Sequence, residues 1–467
     1  MLKKTFLLFF ILSVVLPSCR TYYQRQQEFN RHFTSGRLEE ALKTLDSDRK
    51  AKKKRTRLIY VLNKGTLHHL LGNYTKSNEY FEEAYILGED YLKDYMNEAL
   101  ALITNPNVTE YKGEDFELLM IHYYKAMNFI QLGNYDAALV ECRRMNNKLN
   151  VLNDRFTSNK RYRRDAFINN LMGILYEASG DQNNAFVAYR NAYNIYSEDY
   201  AELFGVNVPE QLKHDLLRAA YNNGFHDQVR FFESKFGITY RHQQNPDNGN
   251  LVLFWKNGLG PVKDEWSLNF HAVKGQGGEV TFVNEELGLS FPFHVPPGQK
   301  SSGTIGDLRI VRVAFPKYVE RKQVYTNARL RFSNDSHPLH LAQNINAIAF
   351  KSLEDRMLRE LGSALLRLAI RQTTEALVRH QSNELGALLG IFGAATERAD
   401  TRHWQTLPYS VHYARVSLPE GNHSFNLDLI LPNGNTARSV PLSVDITARS
   451  TSFLNIHTLD AKPPGIR

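Results

Sequence analysis

Cysteine is nearly missing: the 467 residues include only Cys19 and Cys142. That excludes a disulfide-stapled scaffold and a cysteine-rich zinc protein. No apolar run reaches the roughly 20 residues a helix needs to span a bilayer. His-Glu-x-x-His, Gly-x-Ser-x-Gly and the phosphate-binding loop are all absent, which removes the common signatures of zinc hydrolysis, serine hydrolysis and nucleotide binding. Gly275-Gln-Gly277-Gly278 lacks the third glycine and the helix of a dinucleotide site. His337 and His340 have a metal-like spacing but no clear third ligand. With no acid/base constellation visible, the sequence reads as non-enzymatic, with no cofactor, no metal and no small-molecule substrate. What remains is ordinary globular composition, 42% hydrophobic and 23% charged. The length suggests two or three domains. A net charge of +8 and a pI near 9.1 allow anionic partners without naming one.

The chain opens on Lys3-Lys4 and an apolar run from Phe6 to Leu16, then Leu16-Pro17-Ser18-Cys19. A basic stretch before a short apolar one fits a secretory signal over residues 1–18. The last four residues resemble a bacterial lipobox, with Pro17 a mild departure. The resemblance implies lipidation at Cys19 as the first mature residue. Arg20 and Thr21 follow with no acidic residue, similar to the pattern that sorts such lipoproteins to a periplasm-facing outer-membrane location. Export leaves no role for nucleic acid. Cys142 falls on an apolar helix face and reads as a packing residue.

From near Tyr22 to Phe236 the hydrophobic period is helical. One unit recurs: Gly36-Arg-Leu38, Gly72-Asn-Tyr74, Gly133-Asn-Tyr135, Gly180-Asp and, more weakly, Gly224-Phe-His226. Small residues follow at Ala41, Ser77, Ala138 and Ala185, with Leu45, Phe81, Cys142 and Tyr189 one turn later. Gly65 and Gly173 lie two turns upstream of a turn glycine. This unit resembles the tetratricopeptide repeat, a helix pair of about 34 residues. The expectation is a helical solenoid over 19–240, with an extra apolar helix from Tyr85 to Leu102. Such repeats stack into a curved surface that grips peptides or protein segments. Asn128, Asn169 and Tyr123 are candidates for that groove. Basic clusters occur at Arg49–Arg57 and at Arg155–Arg164, readable as solvated faces or as attraction to anionic lipid.

A polar stretch, 241–250, reads as a linker. Strand signals follow over Leu251–Trp255, Glu279–Val283, Leu289–Val295, Leu308–Phe315, Val324–Phe332, Ser424–Leu431, Ser439–Ile446 and Arg449–Ile456, the hairpin at Pro432-Asn-Gly-Asn435 being the strongest. They predict an antiparallel, sandwich-like β domain over 251–467, interrupted by a helical insertion at 344–398. Within the insertion, Leu385–Ala395 is apolar all round. The whole is therefore a multidomain α+β chain. After the insertion come Asp400-Thr-Arg402-His-Trp404 and Ala414-Arg415-x-x-Leu-Pro. Asp400, Arg402 and Trp404 suit either a junction cap or a binding hot spot.

These last motifs are similar to a family of largely uncharacterised Gram-negative lipoproteins. That resemblance implies the same architecture and membrane attachment, and no activity. The leading expectation is an interaction scaffold in envelope assembly or secretion, held to the membrane by lipid and binding protein partners. A regulator of a peptidoglycan synthase and an enzyme acting on an envelope polymer are the alternatives.

Overall fold

A computed structural model describes residues 21–94, 109–153, 162–241, 247–274, 279–294, 310–333, 335–357, 361–362, 364–365 and 399–466. Cys19, the segment 385–395 and most of the insertion lie outside these residues. A short helix α1 (Tyr22–Arg25) precedes five antiparallel pairs: α2 (Gln27–Thr34) with α3 (Leu38–Ser47), α4 (Arg57–Leu70) with α5 (Tyr74–Asp94), α6 (Asp115–Gln131) with α7 (Tyr135–Asn153), α8 (Ala166–Ala178) with α9 (Gln182–Ile195), and, after α10 (Ala201–Phe204), α11 (Glu210–Asn222) with α12 (His226–Phe236).

Every pair turns the same way. Gly36, Gly72, Gly133, Gly180 and Gly224 all have φ between 70° and 81°. A left-handed residue there lets the amides at and after the glycine close on carbonyls of the previous helical turn. In the second pair Gly72 N donates to His69 O at 3.1 Å and Asn73 N to His68 O at 2.8 Å. In the fourth, Asp181 N donates to Tyr176 O at 2.8 Å. Ala41, Ser77, Ala138 and Ala185 are fully buried at the helix contacts. The expected extra helix starting at Tyr85 is not separate: α5 runs unbroken from Tyr74 to Asp94. Its apolar spacing past Tyr85 continues one helix, because no proline intervenes and Gly88 keeps the helical conformation.

Gly65 and Gly173 mark the closest approaches. A methyl group on Gly173 would lie 2.4 Å from the Tyr189 ring. That ring cannot swing away freely, because its hydroxyl donates to Glu177 at 2.8 Å. Gly173→Ala should therefore lower stability by about 1–3 kcal/mol, the range for overpacking a core. An unchanged urea midpoint would remove the close-packing account.

The C-terminal half departs from a simple antiparallel sandwich. Its strands are β1 (Asn248–Asn257), β2 (Val262–Lys274), β3 (Glu279–Asn284), β4 (Leu289–His294), β5 (Ile310–Val319), β6 (Asn327–Arg331), β7 (Ser336–Pro338), β8 (His340–Asn344), β9 (Ser410–Pro419), β10 (Gly421–Ile430), β11 (Thr436–Ile446) and β12 (Thr451–Thr458). Among the described residues they make three four-stranded sheets, ordered β12-β1-β9-β8, β11-β10-β6-β7 and β4-β3-β2-β5. The β1 and β12 strands pair in parallel, Asn250 opposite Thr451. The sequence pattern missed β2 and β9, where charges interrupt the apolar alternation, and the short β7 and β8, which lie around Pro338 and carry little apolar pattern. Residues 345–357 are helical, as expected for the start of the insertion.

Alternation along β1 explains the layering. Leu251, Leu253 and Trp255 face the second sheet, in a core with Leu330, Phe425, Leu427 and Leu429. Val252 and Phe254 point the other way, into the core of the helical half with Val411 and Tyr413 of β9. The first sheet is thus buried on both faces, as a continuous Leu-Val-Leu-Phe-Trp run requires. The third sheet packs Phe270, Phe282, Val313 and Phe315 against Leu361, Ala364 and Leu365.

Candidate functional site

The polar residues expected to line an open groove meet the first sheet of the same chain. The junction runs along the first helix of successive pairs, from α4 to α11, and it is where the chemistry-bearing side chains gather.

At one end, residues 399–407 thread against α1, α4 and α6. Arg402 makes a two-pronged bond to Asp400, at 2.8 and 2.7 Å. Its third nitrogen donates to the carbonyls of Arg55 and Thr109, at 2.8 and 2.9 Å. A planar fork with five donors suits this task of joining three segments. Trp404 is fully buried. Its backbone amide donates to Glu117 at 2.6 Å, and its indole nitrogen to Thr66 and Thr406 at 3.1 and 2.9 Å. Burial, with Glu114 nearby, pushes the Glu117 carboxyl up to about 7. Glu114 goes the other way. Burial raises it, but Arg356 and Lys263 outweigh that and hold it at about 2.

In the middle, Lys256 of β1 reaches His69 of α4. The amide nitrogen of Asn128 donates to Ser77 and Asn78, so its oxygen is left to accept from His69 Nδ1 at 2.5 Å. That fixes the imidazole tautomer and turns the bare Nε2 toward Lys256 Nζ, 2.6 Å away. Burial pushes the Lys256 ammonium down to about 7. His69 is held well below its ordinary value by burial and then by Lys256. Further along, Gln343 of β8 donates to Asp165 at 2.7 Å, and Asp165 caps α8 through Ile168 N at 2.6 Å.

At the far end Arg415 of β9 inserts between α8 and α11. Its guanidinium donates to Glu177 at 2.5 Å and lies 3.8 Å from Asp215. Arg218 donates to the same two carboxylates, at 2.7 and 2.6 Å. Burial raises the Glu177 carboxyl, but the two guanidinium groups outweigh it and hold it well below the usual range.

The structure places the candidate site residues inside the protein, with Asp400, Arg402 and Trp404 arranged as a junction cap. Arg402, Trp404, Asn128 and Tyr123 are buried, with 3%, 2%, 0% and 2% exposure. Tyr123 packs edge-on against Tyr124, with Phe167 tilted alongside at 6.0 Å. Asn169 is half-buried and bonds back to the Asp165 carbonyl at 2.7 Å. Asp400 is spent on Arg402. Arg402 and Trp404 join the two halves of the chain, whereas Tyr123, Asn128 and Asn169 make their contacts within the helical half. Lys256, Lys263, Glu114, Glu177 and Asp215 are junction residues that the sequence did not single out, and Arg415 entered it only as part of the Ala414-Arg415 motif. A charge inside or directly after an apolar strand was the available signal, at Lys256 and Arg415. Cys142 is buried and its thiol pushed up by burial, which suits packing. His337 pairs with Asp335 at 3.1 Å. Among the described residues no group of three or more His, Cys, Asp or Glu is placed to hold a metal ion, and no helix is long and apolar enough to cross a membrane.

No family model matches the chain, and no curated protein matches it. Several solved structures are similar to a part of it. BtubC (BKLC) from P. vanneervenii is 17% identical over 48% of this chain and 80% of its own, with a TM-score of 0.28. MamA is 14% identical over 44% of this chain and 91% of its own, with a TM-score of 0.28. A putative kinesin light chain from Podosopora anserina, with nearly identical TPR-like repeats, is 15% identical over 46% of this chain and 97% of its own, with a TM-score of 0.29. Likeness at this level carries no functional inference, so the helix-pair architecture stands on the turns and contacts described above.

Proposed function

We propose that the chain is a lipid-anchored scaffold of the Gram-negative cell envelope that binds a protein partner through the last pair of its helical row. One observation carries the partner reading. The first sheet covers the inner helices, and each helix pair packs on the next, but α12 ends the row. Phe231 is 53% exposed there, with Tyr221 at 39% and Phe225 at 36%. A helical row that ends in solvent normally closes with a polar outer face. Aromatic side chains on such an end suit a protein contact, since large exposed aromatics supply most of the energy in binding hot spots. The anchor reading rests on Leu16-Pro17-Ser18-Cys19.

Phe231→Asp should leave melting unchanged, because the ring is more exposed than buried. It should remove a specific partner that co-purifies with the wild-type chain from detergent-solubilised envelope. Recovery of the same partners by both proteins would overturn the reading. Cys19→Ala should separately remove the protein from the membrane fraction or leave it unprocessed, which tests the anchor alone.

A further inference from the structure

The segment Arg49-Lys-Ala-Lys-Lys-Lys-Arg-Thr-Arg57 joins α3 to α4 and contains no acidic residue. Arg49, Lys50, Lys52, Lys53, Lys54 and Arg55 are all exposed. The acidic side chains around them are committed elsewhere. Glu110 pairs with Lys54, Glu83 with Arg57, and Asp46 with the buried Lys64. Asp48 accepts from the Gln26 side chain and the Lys50 amide, at 3.1 and 2.8 Å. Arg49, Lys50, Lys52, Lys53 and Arg55 form no ion pair with a described residue. Asp46 lies within reach of Lys52 and Asp48 keeps its own charge, so these five cations are compensated only in part and present an excess of positive charge to solvent.

Two features make this more than a solvated loop. Its backbone is held: the Arg55 carbonyl accepts from Arg402 at 2.8 Å and from the Tyr111 amide at 3.1 Å, and the Thr56 hydroxyl donates to the Lys50 carbonyl at 2.7 Å. The cations thus project from a backbone that is already ordered before binding. The loop also lies where the N-terminus enters the body. The Tyr22 amide donates to Thr401 at 2.9 Å, next to Arg402, and the exposed Arg25 is close enough to feel the charges of both Arg55 and Arg402. Thr21, two residues after Cys19, is fixed beside the same junction by its capping bonds with Gln24.

We infer that the 49–55 loop, with Arg25, is a docking surface for an anionic lipid bilayer. It would set the orientation of the body on the membrane to which the N-terminus is tied. The membrane-side placement rests on the anchor reading above; the lipid affinity does not. Each basic side chain near an anionic lipid surface is worth about fivefold in partitioning. The attraction falls off within a Debye length, so it is sensitive to salt.

The test uses the chain from Arg20 onward, which contains every described element and cannot be lipidated. Its sedimentation is measured with vesicles of phosphatidylethanolamine alone and with vesicles containing a quarter phosphatidylglycerol. Binding to the anionic vesicles only, released by salt, is the expected result. Lys50→Gln/Lys52→Gln/Lys53→Gln should weaken it by about 100-fold, at three fivefold steps, with unchanged melting. Equal binding to both vesicle types, or an unaffected triple variant, would overturn the inference. So would binding of soluble heparin without binding of either vesicle, which would point to a polyanion other than lipid. Loss of membrane attachment in Cys19→Ala cells leaves the vesicle result untouched, so failure of the anchor and failure of the docking surface are separately visible.

Discussion

Trp404→Ala is expected to destabilise the protein by about 3–5 kcal/mol, the range for deleting a large buried aromatic side chain. The indole lies where residues 399–407 meet α4 and α6. Its ring centre is 5.7 Å from Phe81 and 5.5 Å from Tyr124. Truncation leaves a cavity between two elements that cannot both move inward, since Glu117 and Arg402 hold the backbone on either side. It also strips a hydrogen bond from Thr66 and from Thr406. Trp404→Phe separates the two effects. It restores most of the volume without the donor, and should lose about 1–2 kcal/mol. Urea unfolding followed by circular dichroism measures both. A loss below about 1 kcal/mol for the alanine variant would place the residue outside the junction core.

Arg415→Met should cost about 3–5 kcal/mol, because removing one partner of a buried ionic group leaves charge uncompensated. Glu177 and Asp215 would then share Arg218 alone. The double variant Arg415→Met/Glu177→Gln should lose less than the sum of the single losses, since the groups are in direct contact. The pH dependence has a definite sign. In the native protein the Glu177 carboxyl is held below its ordinary value of 4.5. Its contribution is therefore complete above that value and lost as pH falls below it. Without Arg415 the depression shrinks, so the deficit of the variant should be largest near neutral pH and narrow in acid. A deficit that is constant with pH would assign the loss to packing instead of charge.

The helical half was largely legible in the sequence because its turns are chemically marked. A glycine in left-handed conformation cannot be replaced cheaply, so Gly36, Gly72, Gly133, Gly180 and Gly224 announce the hairpins. The Ser424–Leu431 and Ser439–Ile446 hairpin was visible for the same reason, at Gly434. The long apolar run of β1 announced a strand, but nothing in it said which surface would cover each face. That depends on contacts between residues nearly two hundred positions apart, such as His69 with Lys256. Asn128 and Tyr123 illustrate the limit. A polar or phenolic residue on the inner helix of a repeat is the same signal whether it awaits a partner or meets its own chain. The strand β9 was obscured by His412 and Arg415: the first packs on Trp255 of the neighbouring strand, and the second belongs in a strand only because the opposing helices supply Glu177 and Asp215.

The central claim is that the first sheet and the helical row form one cooperative body. The three tryptophans, Trp255, Trp266 and Trp404, all lie in the C-terminal half, whereas the described helices lie mainly between Tyr22 and Phe236. In Trp404→Phe, which removes the indole packed on the helices, the fluorescence of Trp255 and Trp266 therefore follows the β half, and far-ultraviolet circular dichroism follows mostly the helical half. In a urea titration of this full-length variant the two signals should change with one midpoint, and Gly173→Ala, in the helical half, should shift both equally. Two separated transitions, or a fluorescence midpoint unmoved by Gly173→Ala, would show that the halves are independent and contradict the account.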